Sequence, residues 1–230
     1  MENQSTLSLT NLTIGYGPKK ILAKEINLEA YQGELICLMG LNGTGKTTLF
    51  KTILNEIPCL EGTISTHDSE QKRHEKISAV FTERVSIFGF TVSELIAQGR
   101  APHTNIFGKL SANDKQVIQE QIQVLNLEQI AQEQIDSLSD GQFQKVMIAR
   151  ALAQETPIIL LDEPAAFLDV KNRRMIYKLL AYLAKKKRKT VLVSTHDILF
   201  TREYCQKSWV IQNQSIKEMN PSDISESFFV

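Results

Sequence analysis

Gly40-Leu41-Asn42-Gly43-Thr44-Gly45-Lys46-Thr47 is the stretch that decides the fold. It fits the pattern G-x-x-x-x-G-K-[ST] and stands between a short apolar run, Glu34–Met39, and a segment of helical character, Lys46–Asn55. Strand, glycine loop and helix in that order make the α/β phosphate-binding unit. Glycines let the backbone curl until successive N–H groups point inward at phosphate oxygens. The helix that follows adds its positive N-terminal end. In this pattern Lys46 reaches the β- and γ-phosphates and the Thr47 hydroxyl ligates Mg²⁺, with Thr48 beside it at the helix start.

A second apolar run, Ile158–Leu161, ends in Asp162-Glu163-Pro164. An aspartate at such a strand end holds Mg²⁺ in phosphate-loop enzymes. An adjacent glutamate can act on water as general base if it points at the γ-phosphate. Neighbouring strand residues face opposite ways, so the two carboxylates need not share a role. The competing reading is a solvated strand end with two capping acids.

Two stretches of alternating character, Leu7–Ile14 and Ile26–Ala30, read as antiparallel strands near the N-terminus. Between residues 91 and 150 the pattern turns helical, notably over Val92–Gln98 and Lys115–Ala131. Strand character returns at Ile158–Leu161 and Thr190–Ser194, continuous apolar runs of the kind that form buried parallel strands. Between them, Met175, Ile176, Leu179, Leu180, Leu183 and Ala184 lie on one helix face. Trp209–Gln212 and Ser215–Lys217 read as a closing hairpin about Asn213-Gln214. The expected fold is α/β with a mostly parallel sheet, an N-terminal antiparallel β-subdomain and a helical insert. The length fits one large domain or two small ones; one domain over 1–230 is expected, with a core at about 1–90 and 151–230 and the insert at about 91–150.

Composition narrows the partners. Lys plus Arg and Asp plus Glu both total 26, so the formal net charge is zero. Duplex-binding proteins carry excess cations to displace phosphate counterions, so nucleic acid is not the expected partner. The basic run Lys185–Lys189 ends a helix and reads as a solvated helix terminus rather than a nucleic-acid patch. Three cysteines, Cys37, Cys59 and Cys205, are an odd number, distant in sequence and without metal-ligand spacing, a pattern that suits a reducing compartment. Residues 1–10 lack a basic secretory n-region, and no apolar run approaches the ~18 residues that span a bilayer. Any membrane crossing must then come from other chains.

Leu138-Ser139-Asp140-Gly141-Gln142 precedes a helical run over Gln142–Gln154. As local chemistry it is a helix N-cap followed by a glycine that opens the backbone. The segment also resembles the LSGGQ signature of ABC-transporter ATPases, with Asp140 in place of a small residue. The resemblance extends over nearly the whole chain. Tyr16 stands where that family places the aromatic residue that stacks on adenine. Phe167-Leu168-Asp169 resembles the D-loop, and His196 in Ser194-Thr195-His196-Asp197 matches the switch histidine. Where the family has a Q-loop glutamine, this chain has Glu83, in Thr82-Glu83-Arg84. A carboxylate there keeps a Mg²⁺ ligand but adds negative charge beside the γ-phosphate. His67, His74 and His103 carry no such match and read as surface or loop residues.

The resemblance implies an ATPase using ATP and Mg²⁺, with Glu163, His196 and Lys46 catalytic. Thr47, Asp162 and Glu83 would face Mg²⁺. Ser139, Gly141 and Gln142 would act in trans, closing over ATP held by a second copy, and Asp169 would lie at that junction. It implies a homodimer through two composite sites, membrane permease subunits and a periplasmic binding protein, at the cytoplasmic face of a bacterial inner membrane. The apolar residues of 83–107, Val85, Ile87, Phe88 and Phe90, would touch the permease or else pack inside the insert. Asn42–Leu49, Thr91–Leu95, Gly99–Thr104 and Glu163–Asp169 are similar to a subfamily serving iron-siderophore, haem and cobalamin importers. A soluble, non-transport ABC ATPase and a transporter subunit with another cargo remain open readings. A metabolic phosphate-loop kinase would leave the signature and His196 unexplained.

Overall fold

The computed structural model describes residues 5–66, 73–81, 88–105, 108–225 and 228. Two sheets organise them. Strands β1 (Ser5–Gly15), β2 (Ile21–Tyr31) and β4 (Glu61–Thr66) form an antiparallel sheet in the order β2-β1-β4. The second sheet has six strands. These are β3 (Leu35–Met39), β5 (Ile77–Val80), β6 (Ile158–Asp162), β7 (Thr190–Thr195), β8 (Lys207–Gln212) and β9 (Ser215–Met219). Their order is β5-β6-β7-β3-β8-β9, parallel except for the β8–β9 hairpin. That hairpin turns at Asn213 and Gln214, both with positive φ, as a two-residue turn matched to strand twist requires.

Helix α1 (Lys46–Ile53) lies between the two sheets. Its Leu49, Phe50 and Ile53 are fully buried among residues of β1, β2, β3 and β8. Each such side chain contributes roughly 1.5–3 kcal/mol of burial free energy. A four-residue turn, α2 (Arg73–Lys76), leads into β5. The other face of the parallel sheet is covered by α5 (Asp140–Ala153) and α6 (Val170–Lys185). The same apolar cluster continues into the insert through Val92, Leu95, Ile96, Val117, Ile118 and Ile122.

The insert helices have distinct start signals. Helices α3 (Val92–Ala97), α4 (Ala112–Val124) and α5 each begin with a capping box, Thr91 with Glu94, Ser111 with Asp114 and Ser139 with Gln142. The helical stretch expected over Lys115–Ala131 is shorter: α4 stops at Val124, and Asn126 takes a left-handed φ of 53°. Asparagine tolerates that conformation, which redirects the chain into a short 3₁₀ turn. Arg100, nearly inaccessible, clamps the insert. It donates from Nε to Asp114 Oδ1 at 2.8 Å, and from Nη1 to Ala153 O and Glu155 Oε2, both at 2.7 Å.

Two readings of the sequence are corrected. Cys37 and Cys205 are not separate thiols: they form a disulfide with Cα atoms 6.2 Å apart. Sequence separation concealed this, because helix α7 (Ile198–Tyr204) ends beside β3 and places Cys205 against its middle. Among the described residues the free cysteine is the exposed Cys59. The basic run is not uniformly solvated either. Lys189 Nζ donates to the carbonyls of Glu155 (2.8 Å) and Thr156 (2.7 Å), and burial lowers its pKa.

Candidate functional site

Three neighbouring strands deliver the site. At the C-terminal end of β3 the chain enters the loop 40–45, and α1 starts at Lys46. Beside β3, β7 ends at Thr195, one residue before His196. Beside β7, β6 ends at Asp162, one residue before Glu163. Ligands bind at carboxyl ends of parallel strands because loops and helix N-termini converge there.

The loop geometry depends on its glycines. Gly43 and Gly45 have φ of 79° and 113°, the left-handed region that side chains resist. A Cβ on Gly40 would fall 2.7 Å from Thr44 Oγ1, so a larger residue would displace the hydroxyl that braces the turn. Thr44 Oγ1 donates to Leu41 O at 2.8 Å and braces the turn. Lys46 is buried, and its Nζ donates back across the loop to Gly40 O (2.9 Å) and Leu41 O (3.2 Å). Its ammonium is also 3.7 Å from Glu163 Oε1.

Asp162 and Glu163 face different partners because β6 ends at Asp162 and the chain turns at Glu163. Asp162 is buried and accepts from Thr47 Oγ1 at 2.6 Å and from Ser194 Oγ. Glu163 leaves the strand with φ of 46°, an unusual backbone for a glutamate. Its N–H donates to Ser194 Oγ at 2.9 Å, which helps hold that conformation. Its carboxylate reaches toward both Lys46 and the exposed His196, whose Nδ1 lies 3.9 Å away. Ser194 therefore organises both acids. The sequence reading gave it no role, although it sits at the end of β7 two residues before His196.

A cleft of about 630 Å³ joins these groups. Tyr16, Asn42, Gly43, Gly45, Lys46, Thr47, Thr48, Asp162 and Glu163 all line it, together with Lys20 and Lys51. Tyr16 is exposed. Its hydroxyl is 3.1 Å from Thr48 Oγ1, and Lys20 Nζ stands 5.0 Å from its ring centre. An aromatic face, three lysines and inward-curled backbone suit a nucleotide polyphosphate. Thr47 and Asp162 present a hydroxyl and a carboxylate within 2.6 Å, hard oxygen donors of the kind Mg²⁺ prefers. Among the described residues no cluster of three His, Cys, Asp or Glu forms an all-protein metal cage, and Mg²⁺ with nucleotide does not need one.

Ser139, Gly141 and Gln142 are not brought to this cleft. Ser139 accepts from Gln142 N at 3.3 Å and its own N–H donates to Gln142 Oε1, closing the cap of α5. A Cβ on Gly141 would lie 3.3 Å from both Leu168 Cδ2 and Phe167 O, so the signature start packs on the Phe167–Asp169 segment. Asp169 caps α6 by accepting from Asn172 N at 2.7 Å, and the bonds from Asn172 hold its carboxyl below the usual range. Glu83, His67, Val85, Ile87 and Phe107 lie outside the described residues. Phe88 is 73% exposed, whereas Phe90 packs partly into the insert core. His103 Nε2 lies 3.0 Å from Gln154 O on the surface.

Residues 23–166 match the family profile described as ABC transporter. An ABC transporter ATP-binding protein of Methanocaldococcus jannaschii is 38% identical over 216 residues, 91% of this chain and 74% of that relative. The iron(3+)-hydroxamate import ATP-binding protein of Bacillus subtilis is 32% identical, covering 98% of this chain and 88% of its own length. Among solved structures, a metal-chelate type ABC transporter in an inward-facing conformation superposes with a TM-score of 0.85. It shares 31% identity over 96% of this chain and 85% of that one. A dimeric ATP-binding cassette bound to ADP and Pi gives a TM-score of 0.81 at 29% identity, covering 94% of this chain and 98% of that one.

Proposed function

The chain belongs to the ABC transporter family as an ATP-binding, ATP-hydrolysing subunit, and from that premise we propose that it drives import of an iron chelate through a separate permease. The observation that carries this reading is the division of the site. The phosphate loop, Asp162, Glu163 and His196 converge at three strand ends, while Ser139 and Gly141 sit apart at the start of α5. A second copy supplies the missing side: its Ser139–Gln142 segment closes over ATP held by the first. The relative solved as a dimer with ADP and Pi supports this arrangement.

Within each site the residues divide the work. Lys46 and the loop N–H groups bind the β- and γ-phosphates, and Tyr16 stacks on the base. Thr47 and Asp162 hold Mg²⁺, which neutralises phosphate charge when bound. Glu163 accepts a proton from the attacking water, and His196 positions the γ-phosphate beside it. Glu83 keeps the glutamine's ligand role near the metal. Hydrolysis removes the phosphate bridge between the subunits, and opening moves the inserts.

Among the described residues no helix is long and apolar enough to cross a membrane, which accords with a permease on a separate chain. Exposed Phe88 at the entry to the insert supports contact there. Relatives named for hydroxamate, siderophore and enterobactin transport support an iron-chelate cargo. Others named for molybdate and manganese transport mark the alternatives. A periplasmic binding protein completes an importer of this kind, whose ATPase sits at the inner face of the membrane.

The test is co-expression with a candidate polytopic permease of the iron-chelate importer class. The two should co-purify in detergent, and ferric chelates with their binding protein should raise ATP turnover. ATPase activity with no membrane protein retained would favour a soluble, non-transport role.

A further inference from the structure

Behind Glu163 lies a small cavity of about 80 Å³, bounded by Arg173, Tyr177, Ser194, Thr195, His196 and Asp197. Arg173 belongs to the first turns of α6, four residues past Asp169. Its Nη1 donates to Asp197 Oδ2 at 3.1 Å and its Nη2 to Leu168 O at 3.4 Å. One guanidinium thus bridges the residue after His196 and the residue before Asp169. We infer that Arg173 is a positioning residue for hydrolysis, whose guanidinium transmits the seating of the Leu168–Asp169 segment to His196.

The surroundings make this bridge mechanically direct. Asp197 is committed on both carboxylate oxygens: Oδ1 accepts from Phe200 N at 3.1 Å as the cap of α7, and Oδ2 takes Arg173. Its backbone N–H donates to Thr195 Oγ1 at 3.0 Å, and that oxygen also accepts from the buried Tyr177 hydroxyl at 2.9 Å. The turn carrying His196 is therefore pinned on the strand side by Thr195 and on the helix side by Arg173. Asp169 is pinned to the same helix by Asn172. Arg173 Nε is buried without a hydrogen-bond partner, so the guanidinium is held by its two terminal nitrogens alone. A shift of α6 at its first turn displaces both loops together. Exposed Val170 and Phe167 flank the bridge, on the surface that a second copy covers under the composite-site reading. Closure of that second copy then alters the place of His196 relative to Glu163 through one side chain.

This inference rests on the composite-site reading and on the role of His196, and the experiment separates the two. The full chain is assayed for steady-state ATP hydrolysis with Mg²⁺ across ATP concentration. The variants are Arg173→Met, Arg173→Lys, Asp197→Asn and the double Arg173→Met/Asp197→Asn, with melting temperatures measured in parallel. Asn at 197 still caps α7, so that helix is retained. Arg173→Met and Asp197→Asn should each lower kcat by about tenfold or more, as expected for a misplaced catalytic group, with KM for ATP little changed. The double variant should be no slower than the worse single, and Arg173→Lys should recover part of the rate. An unchanged kcat in Arg173→Met overturns the inference, as do losses that multiply in the double variant or a decline explained by a lower melting temperature. His196→Ala and Glu163→Gln serve as controls: full activity in both would instead overturn the underlying assignment of the site.

Discussion

Lys46 Nζ stands 3.7 Å from Glu163 Oε1 while donating to the carbonyls of Gly40 and Leu41. The proposed phosphate-binding cation and the proposed general base thus share one small volume, and each helps fix the other. Their roles nevertheless differ, and substitution separates them.

Lys46→Ala removes a charge directed into the phosphate loop. It should weaken ATP binding by about 1.5–3 kcal/mol, the scale of a hydrogen bond to an ionised partner. Glu163→Gln keeps the shape and one acceptor oxygen near Lys46 but cannot accept the proton from water. ATP binding should persist, turnover should fall by roughly 10²–10⁴-fold, and dimers should accumulate with ATP and Mg²⁺ in size-exclusion chromatography. A Glu163→Gln protein that stays monomeric at saturating ATP would count against two chains sharing each site.

The Cys37–Cys205 pairing predicts a thiol count. Native, unreduced protein should react with maleimide once, at exposed Cys59, and the denatured, reduced chain three times. Three thiols in unreduced, denatured protein would rule out the disulfide.

Asp114 links acid stability to the insert. Hydrogen bonds from the Ser111 side chain and backbone hold its carboxyl at about 2, helped by Arg100, against an ordinary 3.8. The folded value lies below the unfolded one, so its contribution is present above pH 3.8 and is lost as pH falls through about 2. Asp114→Asn should lower the melting temperature at neutral pH and flatten the stability profile over that acid window. A profile identical in shape to the parent's would show that the clamp does not set acid stability.

Tyr177 gives the opposite limb. Burial pushes its hydroxyl up to about 12. Its neutral form is favoured on folding, so this contribution is complete below pH 10 and is lost as pH rises through 12. Tyr177→Phe should cost about 1 kcal/mol at neutral pH, one buried hydrogen bond, and remove this alkaline component. Denaturant melts from pH 8 to 12 supply the comparison.

Much of the phosphate-loop geometry was legible because its backbone requirements are local. Gly43, Gly45, Lys46 and Thr47 lie within five residues, and their backbone requirements are written in the residue types. The β8–β9 turn at Asn213-Gln214 was readable for the same reason. Ser194 and Arg173 were not legible, since neither residue type signals a role and the acidic partners of each, Asp162 with Glu163 and Asp197, lie 31 or 32 and 24 positions away. The third antiparallel strand, β4, also went unread: only Ile64 of its six residues is buried, so its alternation is faint.

By itself the sequence determined the phosphate loop, the acidic pair and most of the strands and helices, because glycine spacing and apolar periodicity act over one turn or one strand; the signature segment was legible only through its resemblance to a family motif. Only the tertiary structure decided that Cys37 meets Cys205, that Ser194 binds both Asp162 and Glu163, and that Arg173 ties Leu168 to Asp197. Such contacts depend on which strands become neighbours in the sheet, and that order is set by burial of the whole core rather than by any one segment.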